Sequence, residues 1–316
     1  MKNKVLIPQE ISQVGLDFLH NHGYDIETGC GYSEKDIIKS IKGCSGLLIR
    51  NARITRNIID AAPHLRVIGR HGVGVEAIDV EYATEKGIWV TNAPGSNFNA
   101  VAEHTVMMIL VLAKNLLQNN KVFMSGDFNI RHRIVNMELV NKTLGIVGFG
   151  RVGKAVAKKA YHGLGMHVIA YDPYFTNSEE FDFVTRSCEL KEVFSQSDFI
   201  TLHLPVTKST KGLVDRGLLE VMKRTAYLIN AARHEIINEK DFINTIQAGS
   251  FAGAAIDVYA EDPPPLDSPM LNLPNIVYTP HNAAHTEEAF AKMALDAAQG
   301  IHEVLSGIRP TWPVNL

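Results

Sequence analysis

Three glycines and one aspartate have the spacing of a site that binds a dinucleotide. Gly148, Gly150 and Gly153 fit the pattern G-x-G-x-x-G, between an apolar run and an amphipathic stretch. In this pattern the first glycine makes the tight turn, the second lets the backbone approach a pyrophosphate, and the third allows close packing of the helix. Asp172 lies 22 residues after Gly150, at the end of the next apolar run, where a carboxylate can bind ribose hydroxyls. The two residues after Asp172 are not cationic, so the pattern favours NAD over NADP; a glycine-rich turn beside an exposed aspartate is the alternative.

A second set of polar residues follows three further apolar runs. Arg233 comes just after one run, Asp262 lies in the loop after the next, and His281 ends the last. Ligands of open α/β sheets bind at the carboxyl ends of the strands, so these side chains are expected to converge. A guanidinium can hold the carboxylate of a 2-oxo acid while polarising its carbonyl group. An imidazole can supply the proton, and a carboxylate beside it fixes its tautomer. We assign these catalytic roles to Arg233, His281 and Asp262.

Each of these residues also has a purely structural interpretation. Arg233 could be a surface charge at a helix start, Asp262 could begin an Asp-Pro turn, and His281 could pack beneath the preceding proline. A metal site is a further alternative, because His281 and His285 have i, i+4 spacing among thirteen histidines. The zinc motif H-E-x-x-H would need glutamate where Asn282 stands, and no third ligand is evident. We therefore predict no metal.

Alternating strands and helices are predicted to position these residues. Buried strands are predicted at 5–7, 47–49, 67–69 and 88–90. Residues 12–22 have apolar side chains at helical spacing, and the alternation indicates an α/β fold with parallel sheets. Residues 101–117, VAEHTVMMILVLAKNLL, are apolar on nearly every side, which predicts a helix buried against more than one surface. We interpret this helix as the start of a second domain; a core helix of a single domain is the alternative.

Composition argues against several classes of protein. The 316 residues include 31 Lys and Arg against 34 Asp and Glu, which leaves no broad positive field for nucleic acid. The three cysteines are scattered, as expected in a reducing compartment. No apolar run reaches the roughly 20 residues of a membrane helix, and the first apolar run breaks too early for a signal peptide. We expect a soluble, cytoplasmic protein of about two domains that binds neither nucleic acid nor membranes.

Eight segments, in order along the chain, carry a resemblance to a known family. They are RHGVGV (70–75), NAPGSN (92–97), VAEHT (101–105), the glycine loop, LHLPV (202–206), NAAR (230–233), AIDVY (255–259) and TPH (279–281). Together they resemble the D-isomer-specific 2-hydroxyacid dehydrogenases, a family that includes phosphoglycerate dehydrogenase and hydroxypyruvate reductase. The resemblance implies two Rossmann-like parallel-sheet domains. A flavodoxin-like substrate domain would comprise 1–98 and 288–316, and a doubly wound NAD-binding domain would comprise 99–287.

The same resemblance implies further site residues and a partner. Backbone amides around Val73 and Gly74 would hold the substrate carboxylate opposite Arg233. Asp257 would reach the nicotinamide amide. The other cofactor contacts would come from Arg151, Val152, Asp172, Leu204, Ala231 and Ala232. The helix that starts at Val101 would form much of a homodimer interface.

Two departures from the family pattern bear on the substrate. The family's catalytic acid is usually the glutamate of a Glu-Pro pair, whereas this chain has Asp262 before proline, with Glu261 preceding it. His234 replaces the glycine that usually follows the arginine, at a position expected to favour positive φ.

The expected function is hydride transfer between NAD(H) and C2 of a small D-2-hydroxy or 2-oxo acid. The alternative is a catalytically weak NAD(H)-sensing binding protein of the same fold. Phosphoglycerate dehydrogenase and hydroxypyruvate or glyoxylate reductase compete as the specific activity. The candidate cations for a phosphorylated substrate are Arg50, Arg53, Arg70 and His71.

Overall fold

The computed structural model describes residues 3–176 and 178–316, which form twelve strands and eleven α-helices. The strands are β1 (Lys4–Leu6), β2 (Asp25–Glu27), β3 (Gly46–Ile49), β4 (Val67–Arg70), β5 (Trp89–Thr91), β6 (Thr143–Val147), β7 (His167–Tyr171), β8 (Val184–Arg186), β9 (Phe199–Leu202), β10 (Tyr227–Asn230), β11 (Gly253–Ile256) and β12 (Ile276–Tyr278). The helices are α1 (Gln13–Asn21), α2 (Glu34–Ser40), α3 (Arg56–Asp60), α4 (Val80–Glu85), α5 (Phe98–Ala113), α6 (Leu116–Met124), α7 (Arg151–Lys158), α8 (Leu190–Gln196), α9 (Arg216–Leu219), α10 (Glu239–Gln247) and α11 (Glu287–Leu305). Short 3-10 turns occupy Ile41–Gly43, Phe128–His132, Glu179–Phe181, His234–Ile236 and Pro269–Asn272, and a π-helical turn at Lys159–Gly163 continues α7.

The chain divides into two compact units, which we call the terminal unit and the central unit. The terminal unit comprises the residues up to Asn97 together with His285–Leu316, and the central unit is Phe98–Ala284. The terminal unit contains a five-stranded sheet of order β2-β1-β3-β4-β5, in which every pair is parallel. The tail after α11 is extended and packs on this sheet, as the Val314 amide donates to the Val90 carbonyl oxygen at 2.8 Å.

The central unit contains a seven-stranded sheet of order β12-β11-β10-β9-β6-β7-β8, again parallel throughout. Its order runs outward in both directions from β6, as in a doubly wound fold. One apolar cluster packs α5 and α7 against the sheet, and a second packs α8, α9 and α10. Burial on both faces explains why the inner strands β6, β9, β10 and β11 are largely continuous apolar runs. The predicted α/β class with two parallel sheets is confirmed.

The predicted helix 101–117 is wrong in its extent. The structure has α5 ending at Ala113 and α6 starting at Leu116, with Asn115 between them at φ 45°. Left-handed backbone breaks an α-helix, and asparagine tolerates it better than most residues. Burial is also less complete than expected, because 41% of Met107 and 53% of Leu116 are exposed. Across the described residues no single helix is long and apolar enough to cross a membrane; α5 and α6 reach the required length and composition only as a pair bent by 58°.

Candidate active site

The glycine loop joins β6 to α7, and its three glycines serve different purposes. Gly148 has φ 96°, and a Cβ there would lie 2.5 Å from the His203 carbonyl oxygen. A Cβ on Gly153 would lie 2.2 Å from the Gly148 carbonyl oxygen. Gly150, the N-cap of α7, has φ −78°, and a Cβ there would meet nothing within 4 Å. The fold therefore requires glycine at 148 and 153, whereas at 150 the protein leaves open space beside the N–H groups that begin a helix.

Asp172 follows β7 and binds the backbone around the glycine loop. Its Oδ2 accepts the Phe149 N–H and its Oδ1 accepts the Tyr174 N–H, both at 2.8 Å. Each carboxylate oxygen has a second lone pair for another donor. The predicted bond to ribose hydroxyls stays a prediction, and the structure adds that this carboxylate ties the end of β7 to the glycine loop.

Arg233 follows β10 on a turn that is built by Asn230. The Asn230 side chain is buried; its Nδ2 donates to the Arg233 carbonyl oxygen at 2.9 Å and its Oδ1 accepts the Ala232 N–H at 3.0 Å. Sequence reasoning gave Asn230 no role, although a buried asparagine at the end of an apolar strand is a recognisable signal. The Arg233 guanidinium donates through Nη1 to the Ala232 carbonyl oxygen at 2.8 Å. The turn therefore places Arg233, which is partly exposed, at the carboxyl edge of the sheet.

His281 and Asp262 form a hydrogen-bonded pair. The His281 Nδ1 bonds the Asp262 Oδ2, and about half of each side chain is exposed. This bond engages Nδ1, and Nε2 is the second hydrogen-bonding nitrogen of the imidazole. His281 has φ 51°, in the left-handed region that histidine adopts more readily than most residues. Residues 281–285 are not helical, so His281 and His285 do not form the helical pair of the metal alternative.

The expectation of positive φ at His234 is wrong. His234 begins a 3-10 turn, and it is not among the residues with positive φ. Its Nε2 instead lies 3.2 Å from the Glu239 Oε2. The chain continues from the arginine as a regular turn, so a side chain is accommodated at 234 without strain.

Asp257 is fully buried after β11 and binds the loop that carries His281. Its Oδ1 accepts the Thr279 hydroxyl at 2.6 Å and the Asn282 N–H at 3.0 Å, and its Oδ2 accepts the Ala283 N–H at 3.0 Å. His104 of α5 approaches the same group, with its Nε2 3.1 Å from the Thr279 Oγ1 and 3.6 Å from the Asp257 Oδ1. The structure thus uses this carboxylate inside the protein, and its predicted contact with the nicotinamide amide stays a prediction.

The remaining predicted residues divide between the two units. Those of the central unit all follow parallel strands or begin α7, so they lie at one edge of the sheet: Arg151, Val152, Leu204, Ala231 and Ala232. Val73 and Gly74 belong to the terminal unit, in the loop after β4. Their carbonyl oxygens accept the Asn92 Nδ2 and the Arg70 Nε respectively, each at 2.8 Å. Among residues 3–176 and 178–316, no group of three or more His, Cys, Asp or Glu side chains is arranged to hold a metal ion.

Comparison with known proteins identifies the family. Residues 106–283, more than half of the chain, match the model of the NAD binding domain of D-isomer specific 2-hydroxyacid dehydrogenases. The chain belongs to the D-isomer specific 2-hydroxyacid dehydrogenase family. It is 37% identical over 314 residues to D-3-phosphoglycerate dehydrogenase of Archaeoglobus fulgidus, an alignment that covers 99% of this chain and 59% of that protein. The chain therefore spans about three fifths of the length of this curated relative.

Two solved structures share the fold over nearly the whole chain. The TT0316 protein of Thermus thermophilus superposes with a TM-score of 0.88 at 31% identity, covering 98% of this chain and 99% of that one. D-lactate dehydrogenase of Aquifex aeolicus, solved with NAD and lactic acid, superposes with a TM-score of 0.82 at 26% identity, covering 96% of each chain. The resemblance stated from the sequence is confirmed.

The residues of the central unit fit an NAD(H) cofactor. A pyrophosphate is favoured at the first turn of a helix, where N–H groups are free and the helix dipole is positive. The missing side chain of Gly150 leaves room for it at the start of α7, and Asp172 stands at the end of the neighbouring strand β7. The family assignment and this geometry agree on the predicted cofactor.

Proposed function

We propose that the protein is an NAD-dependent oxidoreductase that transfers a hydride between NAD(H) and C2 of a small D-2-hydroxy or 2-oxo acid. The observation that carries the proposal is the bond between His281 Nδ1 and Asp262, at the carboxyl edge of the sheet that also carries Gly150. An imidazole held in this way on one nitrogen has its other nitrogen available for proton transfer. Arg233 comes from the same edge, so the charge required to bind an acid is present as well.

In the proposed mechanism each side chain has a distinct task. The bound cofactor supplies or accepts the hydride. His281 gives the proton to the carbonyl oxygen in reduction and removes it from the hydroxyl in oxidation, through Nε2. Asp262 keeps Nδ1 as the bonded nitrogen and stabilises the imidazolium. Arg233 binds the substrate carboxylate and stabilises the negative charge that develops on the carbonyl oxygen.

We assign substrate binding to the terminal unit and cofactor binding to the central unit, with boundaries near 98 and 288. The loop at Val73 and Gly74 supports this assignment, since both carbonyl oxygens are anchored by side chains. Within the described part of the chain, neither residue's backbone N–H donates a hydrogen bond. Two unused N–H groups on a fixed loop can bind a carboxylate.

We further propose a cytoplasmic homodimer. The support is an apolar surface on α5, α6 and the turn after them, with 53% of Phe123 and 73% of Met124 exposed. Its other exposed members are Met107, Leu116, Leu117 and Phe128. Several large exposed apolar side chains on neighbouring elements are typical of a protein interface. Cys30, Cys44 and Cys188 are free thiols, which supports a reducing compartment.

The substrate class depends on whether a cationic side chain of the terminal unit binds a phosphate group of the substrate. D-3-phosphoglycerate dehydrogenase is the name of the curated relatives, and we propose a phosphorylated 2-oxo acid as one of two candidate substrates. Arg70 is bound to the Gly74 carbonyl oxygen, and Arg50 donates to the Glu10 carbonyl oxygen while lying 4.8 Å from the centre of the Phe290 ring. Arg53 is exposed, and we propose it as the side chain that would bind a phosphate. A non-phosphorylated acid such as hydroxypyruvate or glyoxylate is the second candidate.

The test follows NADH absorbance with glyoxylate, pyruvate, hydroxypyruvate and phosphohydroxypyruvate. We expect oxidation of NADH with at least one acid, and its loss in His281→Gln, which keeps a polar side chain without an ionisable nitrogen. A preference for the phosphorylated acid that disappears in Arg53→Gln would identify that substrate class. Tight NADH binding that His281→Gln leaves unchanged, together with no turnover of any acid, would support the NAD(H)-sensing binding protein instead.

A further inference from the structure

A buried carboxylate, Asp257, helps to attach the loop that carries His281 to the core of the central unit. Asp257 has no exposed surface, and it accepts three hydrogen bonds from Thr279, Asn282 and Ala283. These three donors flank His281 on both sides along the chain. The Thr279 side chain before the imidazole and two backbone N–H groups after it are thus bound to the two oxygen atoms of one carboxylate.

The charge of Asp257 makes this attachment strong. A buried carboxylate needs donors to replace water, and hydrogen bonds to a charged group are stronger than those between neutral groups. The basic side chain beside it is His104, whose pKa is lowered by burial even though Asp257 opposes that shift. Because a neutral His104 provides no positive charge, the N–H and O–H groups of the loop are what stabilise the carboxylate. Loss of any one donor would therefore cost more than an ordinary surface hydrogen bond.

His104 extends the network through the Thr279 hydroxyl. That hydroxyl donates its only hydrogen to Asp257, so it can only accept from His104. The neutral imidazole consequently carries its proton on Nε2 and donates it to Thr279. Tyr259 holds the same residue from the other side, since its hydroxyl donates to the Thr279 carbonyl oxygen at 2.7 Å. Thr279 is thus restrained at both its side chain and its backbone.

The conformation of His281 explains why such restraint is needed. Its φ of 51° lies in a region that most non-glycine residues avoid. A residue persists there only when its surroundings hold it. The His281 N–H bonds the Thr279 carbonyl oxygen at 3.0 Å, and the next two N–H groups are held by Asp257. The direction of the imidazole therefore depends on this network as well as on Asp262.

We propose that Asp257 and Thr279, supported by His104, are positioning residues that hold His281 in the geometry of proton transfer. The proposal rests on the proposed function only in assigning that proton transfer to His281. It gives Asp257 a task inside the protein, before any ligand is bound.

The test compares Thr279→Val, which removes the hydroxyl at nearly constant volume, with Thr279→Ser, which keeps it. Thr105→Val is the matched control, because Thr105 is a buried threonine of α5 whose hydroxyl bonds only within its helix, to the Val101 carbonyl oxygen. We expect Thr279→Val to lower kcat about 10- to 100-fold, the cost of a small misplacement of a catalytic group, with the Kd for NADH unchanged. We expect Thr279→Ser to restore kcat and Thr105→Val to leave it unchanged. Unchanged kcat in Thr279→Val, or equal losses in the valine and serine variants, would overturn the proposal.

A second measurement separates this proposal from the proposed function. Diethyl pyrocarbonate acylates accessible imidazole nitrogens, and mass spectrometry of peptides gives the rate at His281 without any substrate. We expect this rate to change several-fold in Thr279→Val and in His104→Leu, and to be unchanged in Thr279→Ser and Thr105→Val. Equal rates in all four variants would overturn the positioning role even if the enzyme turns over. A protein inactive on every acid would refute the proposed function, and the labelling rates would still decide this proposal.

Discussion

Two substitutions in the glycine loop can distinguish an effect on the stability of the fold from an effect on cofactor binding. Gly150→Ala adds a Cβ that meets no atom within 4 Å, on backbone at φ −78° that alanine adopts freely. Gly153→Ala adds a Cβ only 2.2 Å from the Gly148 carbonyl oxygen, so backbone must move. We expect the first variant to lose cofactor affinity with its stability kept, and the second to lose stability.

The magnitudes follow from the geometry. Alanine at an N-cap costs up to about 1 kcal/mol relative to better capping residues. A smaller conformational entropy of the unfolded chain returns about 0.4–1 kcal/mol, so Gly150→Ala changes the free energy of unfolding little. A methyl group forced against the pyrophosphate costs about 1–3 kcal/mol of overpacking, which raises the Kd for NADH about 5- to 150-fold. Gly153→Ala incurs a cost of about the same size, or more, in the folded protein itself.

Two measurements on each variant give the answer. NADH fluorescence titration reports the Kd, and urea unfolding without cofactor reports the free energy of unfolding. The reasoning fails if folded Gly150→Ala binds NADH as tightly as the unsubstituted protein, because the open space at the start of α7 would then not be where the pyrophosphate lies. It also fails if Gly153→Ala unfolds at the same urea concentration as the unsubstituted protein.

Two further predictions concern single side chains. Asp262→Asn removes the charge beside His281, and because the pair is half exposed we expect kcat to fall by about 10- to 100-fold, the low end of acid–base effects. Asp262→Glu should keep most of the activity and Glu261→Gln all of it; a loss confined to Glu261→Gln would assign the acid to Glu261. His71 is buried in the terminal unit, and burial lowers its pKa to about 4. As the pH falls, His71 is therefore protonated in the unfolded chain before it is protonated in the folded protein. The free energy of unfolding is highest above about pH 6.5 with respect to this group, and it decreases between about pH 6.5 and 4. Urea unfolding of His71→Gln should show up to about 3 kcal/mol less acid destabilisation than the unsubstituted protein, and equal acid sensitivity would contradict the assignment.

Local sequence was sufficient for the buried strands, for the class of fold and for the glycine loop, whereas the partly exposed strands β2 and β8 were not predicted. Buried parallel strands are apolar on both faces, and glycine adopts the positive φ of a tight turn more readily than any other residue, so both features are visible without tertiary contacts. The pairing of Asp262 with His281 was also predictable, because both follow neighbouring strands whose carboxyl ends meet at one edge. The end of α5 was not, because the apolar pattern continues past Ala113 and does not show that the backbone of Asn115 becomes left-handed.

The roles of the site residues required the folded structure. The sequence determined which glycines, aspartates and histidine follow the predicted strands, and this was enough to indicate the chemistry. Only the tertiary structure distinguished Gly150, where a side chain has room, from Gly153, where backbone blocks one. Only the tertiary structure showed that Asp257 is bonded to the loop around His281. The physical reason is that hydrogen bonds and close contacts join residues far apart in the chain, and no local pattern records which of them meet.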